Sequence, residues 1–257
     1  MKSDPLVAVV RLTGMIAGGP RGLSDKGAAP LLEKAFARGK PKAVALVINS
    51  PGGSPVQSSL IGSRIRRLSE EKEVPVYAFV EDLAASGGYW IAAAADEIWV
   101  DATSVVGSIG VISAGFGMHE LIERYGIERR VYTAGTSKSM NDPFKPEKEE
   151  DVARLKTILE QIHGSFKDHI SARRAGKLDP EKDLFTGEIW VGQKAIDVGL
   201  ADGVGHLVPT MKEKFGEKIQ FRVYGQRRSP FSALGTSMIE SASHHIEERA
   251  AFARFGL

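Results

Sequence analysis

The chain has 257 residues, 42% of them hydrophobic, with Lys+Arg 34 against Asp+Glu 32 and a formal net charge of +2. That length suits one large domain, or one with an appendage, able to bury a core without metal or disulfide staples. The absence of cysteine excludes a disulfide framework, a thiolate zinc site, an iron–sulfur cluster and a cysteine nucleophile, and the balanced charge offers no basic excess to attract nucleic acid.

Met1–Pro5 runs straight into a strand-like Leu6–Leu12, with no signal-peptide core and no later run long enough to span a bilayer. As given, the chain is expected to be cytoplasmic and soluble. A helix is expected over Gly27–Arg38, from Leu31, Leu32, Ala35 and Phe36. The fully apolar run Ala43–Ile48 reads as a buried parallel strand. Val56–Leu68 reads as a helix, Val76–Val80 as the next buried strand and Gly88–Ala94 as a small apolar helix. Short strands are expected at Glu97–Val100 and Ser108–Ser113, and Ile127–Thr133 closes the series. This alternation predicts an α/β domain with a mainly parallel sheet. A long charged helix over Pro146–Arg174 follows, with Val152, Leu155, Ile158, Leu159 and Ile162 as its apolar stripe. A compact αβ segment, Val191–Tyr224, comes next. The tail from Gln226 opens on the linker-like Arg227-Arg228-Ser229-Pro230, and Met238–Phe255 could form a weakly amphipathic helix.

Two glycine segments stand at the C-terminal ends of predicted parallel strands, where open α/β sheets place their sites. Asn49–Ser54 (NSPGGS) follows the Ala43–Ile48 strand, and Ala84–Trp90 (AASGGYW) follows Val76–Val80. Ser86, flanked by Ala84, Ala85, Gly87 and Gly88, resembles a nucleophile elbow, although Ala84 replaces the first Gly of the G-x-S-x-G pattern. The Gly87 N–H at the head of the next helix suits a developing oxyanion, and Gly53 is the candidate second donor. Either segment alone also fits an ordinary tight turn; two after consecutive buried strands point to a site.

A serine nucleophile needs a base. His119 sits in a predicted helix, Gly117–Tyr125, His163 and His169 lie on the long charged helix where a solvated role is expected, and His244 and His245 are in the tail. None occupies a turn shaped for catalysis, so a Ser-His-Asp triad is unconvincing. A lysine kept neutral by burial can replace histidine, and Lys138 stands in the loop Ala134–Phe144. By itself, a lysine in a polar loop reads as a solvated surface residue.

The segments INSPGG (Ile48–Gly53), ASGGYW (Ala85–Trp90), GSIGVI (Gly107–Ile112) and the lysine-bearing GTSKSMNDPF (Gly135–Phe144) occur in one order. Together they resemble the signal peptide peptidase A family of bacterial Ser–Lys proteases, over residues Leu6–Tyr224. The resemblance implies a ClpP/crotonase-like fold, a repeated β-β-α spiral core with a long helix and a C-terminal αβ extension. It implies Ser86 as nucleophile, Lys138 as general base, Ser108 as the serine that orients the lysine amine, and Gly53 and Gly87 as oxyanion donors. It further implies the short, single-domain form, in which protomers form a ring and a serine meets a neighbour's lysine. The expected substrates are remnant signal peptides or other short hydrophobic peptides. Short-form relatives commonly carry an N-terminal membrane anchor, and no such segment is expected within the sequence as given, which leaves localisation and natural substrate open. No cofactor and no metal are implied.

Residues 1–225 are therefore expected to form the peptidase domain, and 226–257 a helical tail that packs oligomers; contact with a membrane surface stays open. Two rivals remain: a crotonase-like acyl-CoA enzyme and a non-catalytic ring-forming scaffold. Three other motif matches fall away. Ser69-Glu70-Glu71-Lys72 spells S-x-x-K on a solvated helix end, His119-Glu120 lacks the second histidine of a zinc helix, and Gly22–Gly27 has P-loop spacing without its lysine.

Overall fold

The computed structural model describes residues 4–19, 22–135, 137–225 and 248–257. They form two compact units: residues 1–110 with 167–257, and residues 111–166.

The first unit is built on an eight-stranded sheet, ordered β6-β5-β3-β2-β1-β8, with β4 paired to β3 and β7. Its strands are β1 (Leu6–Thr13), β2 (Ala43–Ser50), β3 (Val76–Ala85), β4 (Glu97–Val100), β5 (Val105–Gly107), β6 (Ile189–Val191), β7 (Gly203–Val204) and β8 (Gln220–Tyr224). Every pairing is parallel except β5 with β6. The apolar run predicted for β2 is buried along nearly its whole length, as a strand covered on both faces must be. Along β1 and β2, Val7, Val9, Ala45 and Val47 point to one face and pack with Phe79 and Met211.

Helices return the chain between strands. α1 (Asp25–Ala37) starts where the Ser24 hydroxyl accepts the Gly27 N–H. α2 (Pro55–Lys72) starts on Ser54, with Pro55 in the first turn where its missing N–H costs nothing, and stops at Glu73 in a left-handed conformation. Ser69, read in the S-x-x-K match, is buried and donates to Val74 O at 2.8 Å, closing that helix end. α3 (Gly87–Ala93) is wholly buried. α6 (Gln193–Asp197) and α7 (Leu207–Phe215) complete the αβ segment near the C-terminus. The fully buried Arg174 donates twice to Gly199 O and once to Asp202, and the Tyr89 hydroxyl of α3 donates to Leu200 O in the same loop.

β3 forks. Tyr77–Val80 pair with β4, whereas Leu83–Ala85 pair with β5, and the register against β2 shifts between Ile48 and Ser50. The Ser104 hydroxyl sits in the fork, within hydrogen-bonding distance of the Val80 and Glu81 carbonyls.

The second unit carries α4 (His119–Arg124) and the larger part of α5 (Glu149–Arg173), whose residues from Lys167 onward belong to the first unit. Two expected strands are absent. Residues 108–117 have no regular structure, because the strand ends at Gly107, and both Gly107 (φ 100) and Ser108 (φ 51) turn the backbone out of the extended region. Ile127–Thr133 is irregular as well, with Ile127 and Tyr132 exposed. Of the tail, residues 226–247 lie outside the described residues; 248–253 are helical, and Phe252 and Phe255 pack against Leu83, Ala85 and Val105.

Candidate active site

Ser86 occupies the junction of β3 and α3 with φ 51 and ψ −120. A non-glycine residue there carries a conformational cost of about 1–3 kcal/mol, and Ser86 makes no side-chain capping bond that would offset it. The fold repeats the same turn between β6 and α6, with φ 46 and ψ −116, and there places Gly192. Serine at the first position is thus held against local preference, with its side chain partly exposed at the end of a buried strand.

The two glycine segments meet. A Cβ on Gly52, whose φ is +95, would stand 2.8 Å from Ala85 O, from Ser86 Cβ and from Gly87 N. Only a residue without a side chain lets the Pro51–Gly53 turn lie this close to the elbow. That turn is fixed by the buried Ser50, whose hydroxyl donates to Gly14 O at 2.7 Å and accepts the Gly52 N–H at 3.2 Å. Ile16 donates to Gly52 O and accepts from Ser54 N, both at 2.8 Å, so the intervening Gly53 N–H faces away from Ile16.

Ser108 stands on the other side of the elbow. Ser86 N donates to Gly107 O at 2.8 Å, and Ser108 N donates to Glu188 O at 2.7 Å. Thus Ser86, Gly87, the Gly52–Gly53 turn and the Ser108 turn form one cluster at the C-terminal ends of β2, β3 and β5. Lys138 belongs to the second unit, exposed on a turn over residues 137–141, where its N–H donates to Gly135 O at 3.3 Å.

The remaining histidines sort by surroundings. His206 Nε2 donates to the Asp101 carboxylate at 2.8 Å, on the surface. Hydrogen bonds from Thr103 and then from His206 hold the Asp101 carboxyl down to about 2. His169, expected to be solvated, is instead half-buried: its ring stacks on Trp90, with centroids 4.8 Å apart at 11°, and its Nε2 lies 3.0 Å from Trp90 O. Burial pushes its pKa below the ordinary histidine value, against the raising effect of that hydrogen bond. Ser50 and His169 are the two residues that sequence reading missed. The signal for His169 was available: the stripe ending at Ile162 continues through Phe166 and Ile170, both buried, which sets His169 beside it. Among the described residues no group of His, Asp and Glu side chains could hold a metal ion, and no helix is long and apolar enough to cross a membrane.

The chain is similar to known proteins to different depths. A structure of 1510-N, a membrane-bound stomatin-specific protease solved with a substrate peptide, superposes with a TM-score of 0.52 at 13% identity, covering 90% of this chain and 96% of that one. That match shows a shared fold. A Brucella melitensis protein named Na(+)/H(+) antiporter NhaA is 46% identical over 98% of this chain and 37% of its own length. The Arabidopsis thaliana serine protease SPPA, chloroplastic, is 31% identical over 78% of this chain and 31% of its own length. The chain thus spans about a third of these relatives, and the antiporter name describes the longer protein. Peptidase family S49 matches residues 69–217, more than half of the chain and the stretch that contains Ser86, Ser108 and Lys138. On that match, which covers more than half of its residues, the chain belongs to peptidase family S49.

Proposed function

We propose that the chain is a serine endopeptidase working through a Ser86–Lys138 dyad and an acyl-enzyme. The observation that carries this reading is Ser86 at φ 51 and ψ −120, heading a buried helix with a glycine turn packed against it. Neutral Lys138 takes the Ser86 hydroxyl proton as Oγ bonds to the scissile carbonyl carbon. The Gly53 and Gly87 N–H groups stabilise the oxyanion, and Ser108 orients the lysine amine. Collapse of the tetrahedral species breaks the C–N bond, and the lysine returns its proton to the departing amine. Water, deprotonated by the same lysine, then adds to the acyl carbon; the acyl C–Oγ bond breaks and the lysine returns that proton to Ser86 Oγ.

In this reading active sites are shared between protomers of a ring, a serine meeting a neighbour's lysine, as the resemblance to the short single-domain form implies, and a base of this kind needs a surface that desolvates it. The second unit offers such a surface: Ile112, Phe116, Tyr125, Ile127 and Tyr132 are 59–92% exposed. The tail, residues 226–257, contributes to the same packing, and a membrane surface is a further partner. Substrates are remnant signal peptides or other short hydrophobic peptides, which add as an extended strand beside the site. The 46% identity to a Brucella protein supports a bacterial source, with the chain in the cytoplasm or against a membrane.

Labelling with a fluorophosphonate probe tests this reading, since it requires an activated serine. Covalent label on Ser86, lost in Ser86→Ala, is expected. An unlabelled wild-type protein that assembles normally would favour an acyl-CoA enzyme or a scaffold instead.

A further inference from the structure

Helix α3 is seven residues long, and its C-terminal end is tightened. Ala94 N donates to Ile91 O at 3.1 Å and Ala95 N to Ala92 O at 3.0 Å, both i→i−3 bonds. The donor that a regular helix would offer to Trp90 O is therefore committed elsewhere. His169 Nε2 stands 3.0 Å from that carbonyl. A carbonyl only accepts, so the ring carries its hydrogen on Nε2. The next carbonyls are held too: Arg173 donates to Ala93 O and Ala95 O at 3.0 Å, and Arg66 to Ala94 O at 3.2 Å.

Trp90 differs from these because it also touches the elbow. Its N–H donates to Ser86 O at 3.0 Å. Two hydrogen bonds thus run in series, from His169 to the Trp90 carbonyl and from the Trp90 amide to the Ser86 carbonyl. The imidazole lies flat on the Trp90 indole at 11°, which fixes the side chain of the residue whose backbone it grips. A serine at φ 51 persists only where its surroundings over-determine it.

We propose that His169 is a positioning residue for Ser86. It holds Trp90 by backbone and by ring, and Trp90 holds the Ser86 carbonyl, so the elbow keeps the backbone that presents Oγ. The inference rests on Ser86 being the nucleophile. The hydrogen bond to the Trp90 carbonyl carries most of this role and the flat ring adds to it; Gln keeps the donor and Phe keeps the ring.

The test compares wild type, His169→Phe and His169→Gln by peptide-reporter kinetics, fluorophosphonate labelling rate and thermal unfolding, with rates normalised to labelled sites. His169→Phe, which keeps the ring and loses the donor, is expected to lower kcat and labelling rate about 10–100-fold with KM little changed. His169→Gln keeps a donor and is expected to recover most of the labelling rate. Wild-type rates per labelled site in both variants would overturn the proposal, as would rates that merely follow the folded fraction. Should His169→Phe fail to fold, a His169→Gln labelling rate as low as that of His169→Ala would also overturn it. Failure of the wild type to label would instead remove the nucleophile reading itself, and the inference with it.

Discussion

The amide of Ser86 donates to the carbonyl of Gly107 at 2.8 Å, so the elbow and the turn that carries Ser108 are tied backbone to backbone. Both serines have φ 51. The two strained positions support each other, and disturbing one is expected to be felt at the other.

Replacing Ser86 by Gly separates activity from stability. Glycine adopts the positive φ freely, and no capping bond is lost. Peptide cleavage should fall by about 10³-fold or more, while stability in urea should hold or rise by about 1 kcal/mol. A clear loss of stability would contradict the strain assigned to the elbow.

Gly52→Ala should do the opposite. The added Cβ meets Ala85 O, Ser86 Cβ and Gly87 N at 2.8 Å on a backbone with φ +95. A loss of about 2 kcal/mol or more is expected by chemical denaturation, with cleavage lost as well. A stable, active Gly52→Ala would show that the two glycine segments need not touch.

The proposed sharing of sites between protomers predicts complementation. Ser86→Ala and Lys138→Ala should each be inactive alone and regain measurable cleavage once their subunits are dissociated, mixed and reassembled. Absence of activity in mixed oligomers confirmed by size would argue for a site completed within one chain.

Arg174 anchors the end of α5 to the Gly199–Asp202 loop. Burial raises the Asp202 carboxyl, but hydrogen bonds from Arg174, Lys177 and Ile98 N–H hold it below the usual carboxylate range. Arg174→Met leaves that half-buried carboxylate with less compensation and should cost about 3–5 kcal/mol in urea unfolding. A neutral outcome would mean that packing, not charge, fills this place.

Stability should also decline in mild acid. Burial, with Arg173 nearby, lowers the His169 pKa, and Arg66, Asp96 and Glu70 are the charged groups around Arg173. The unfolded chain therefore binds a proton that the folded chain resists. The contribution is complete above about pH 6.5 and falls as pH drops through that value toward the lowered one. In His169→Gln the same acid titration should be shallower. An unchanged slope would place the loss on other groups.

Much of this was legible in the residues. The apolar runs at Ala43–Ile48 and Val76–Val80 gave their strands, and the glycines after them gave the turns that meet at Ser86. What failed was long-range. Ser108–Ser113 and Ile127–Thr133 look strand-like in composition, but a strand exists only beside a neighbour, and Ile112 and Tyr132 face outward at 63% and 92% exposure. His169 was hidden for a related reason: a polar residue on a charged helix reveals nothing of the carbonyl it will meet about 80 positions away, at Trp90.

The fork in β3 bears on how this chain can change length. Its first half is set in register by β4 and its second half by β5, with the exposed Glu81 and Asp82 between them. Side chains alternate faces, so one residue added between Leu83 and Ser86 would invert the elbow relative to the core. The same addition at Glu81–Asp82 falls where the pairing already changes partners. That joint is the place where β3 can tolerate an insertion while the parity of the three residues leading to the serine stays intact.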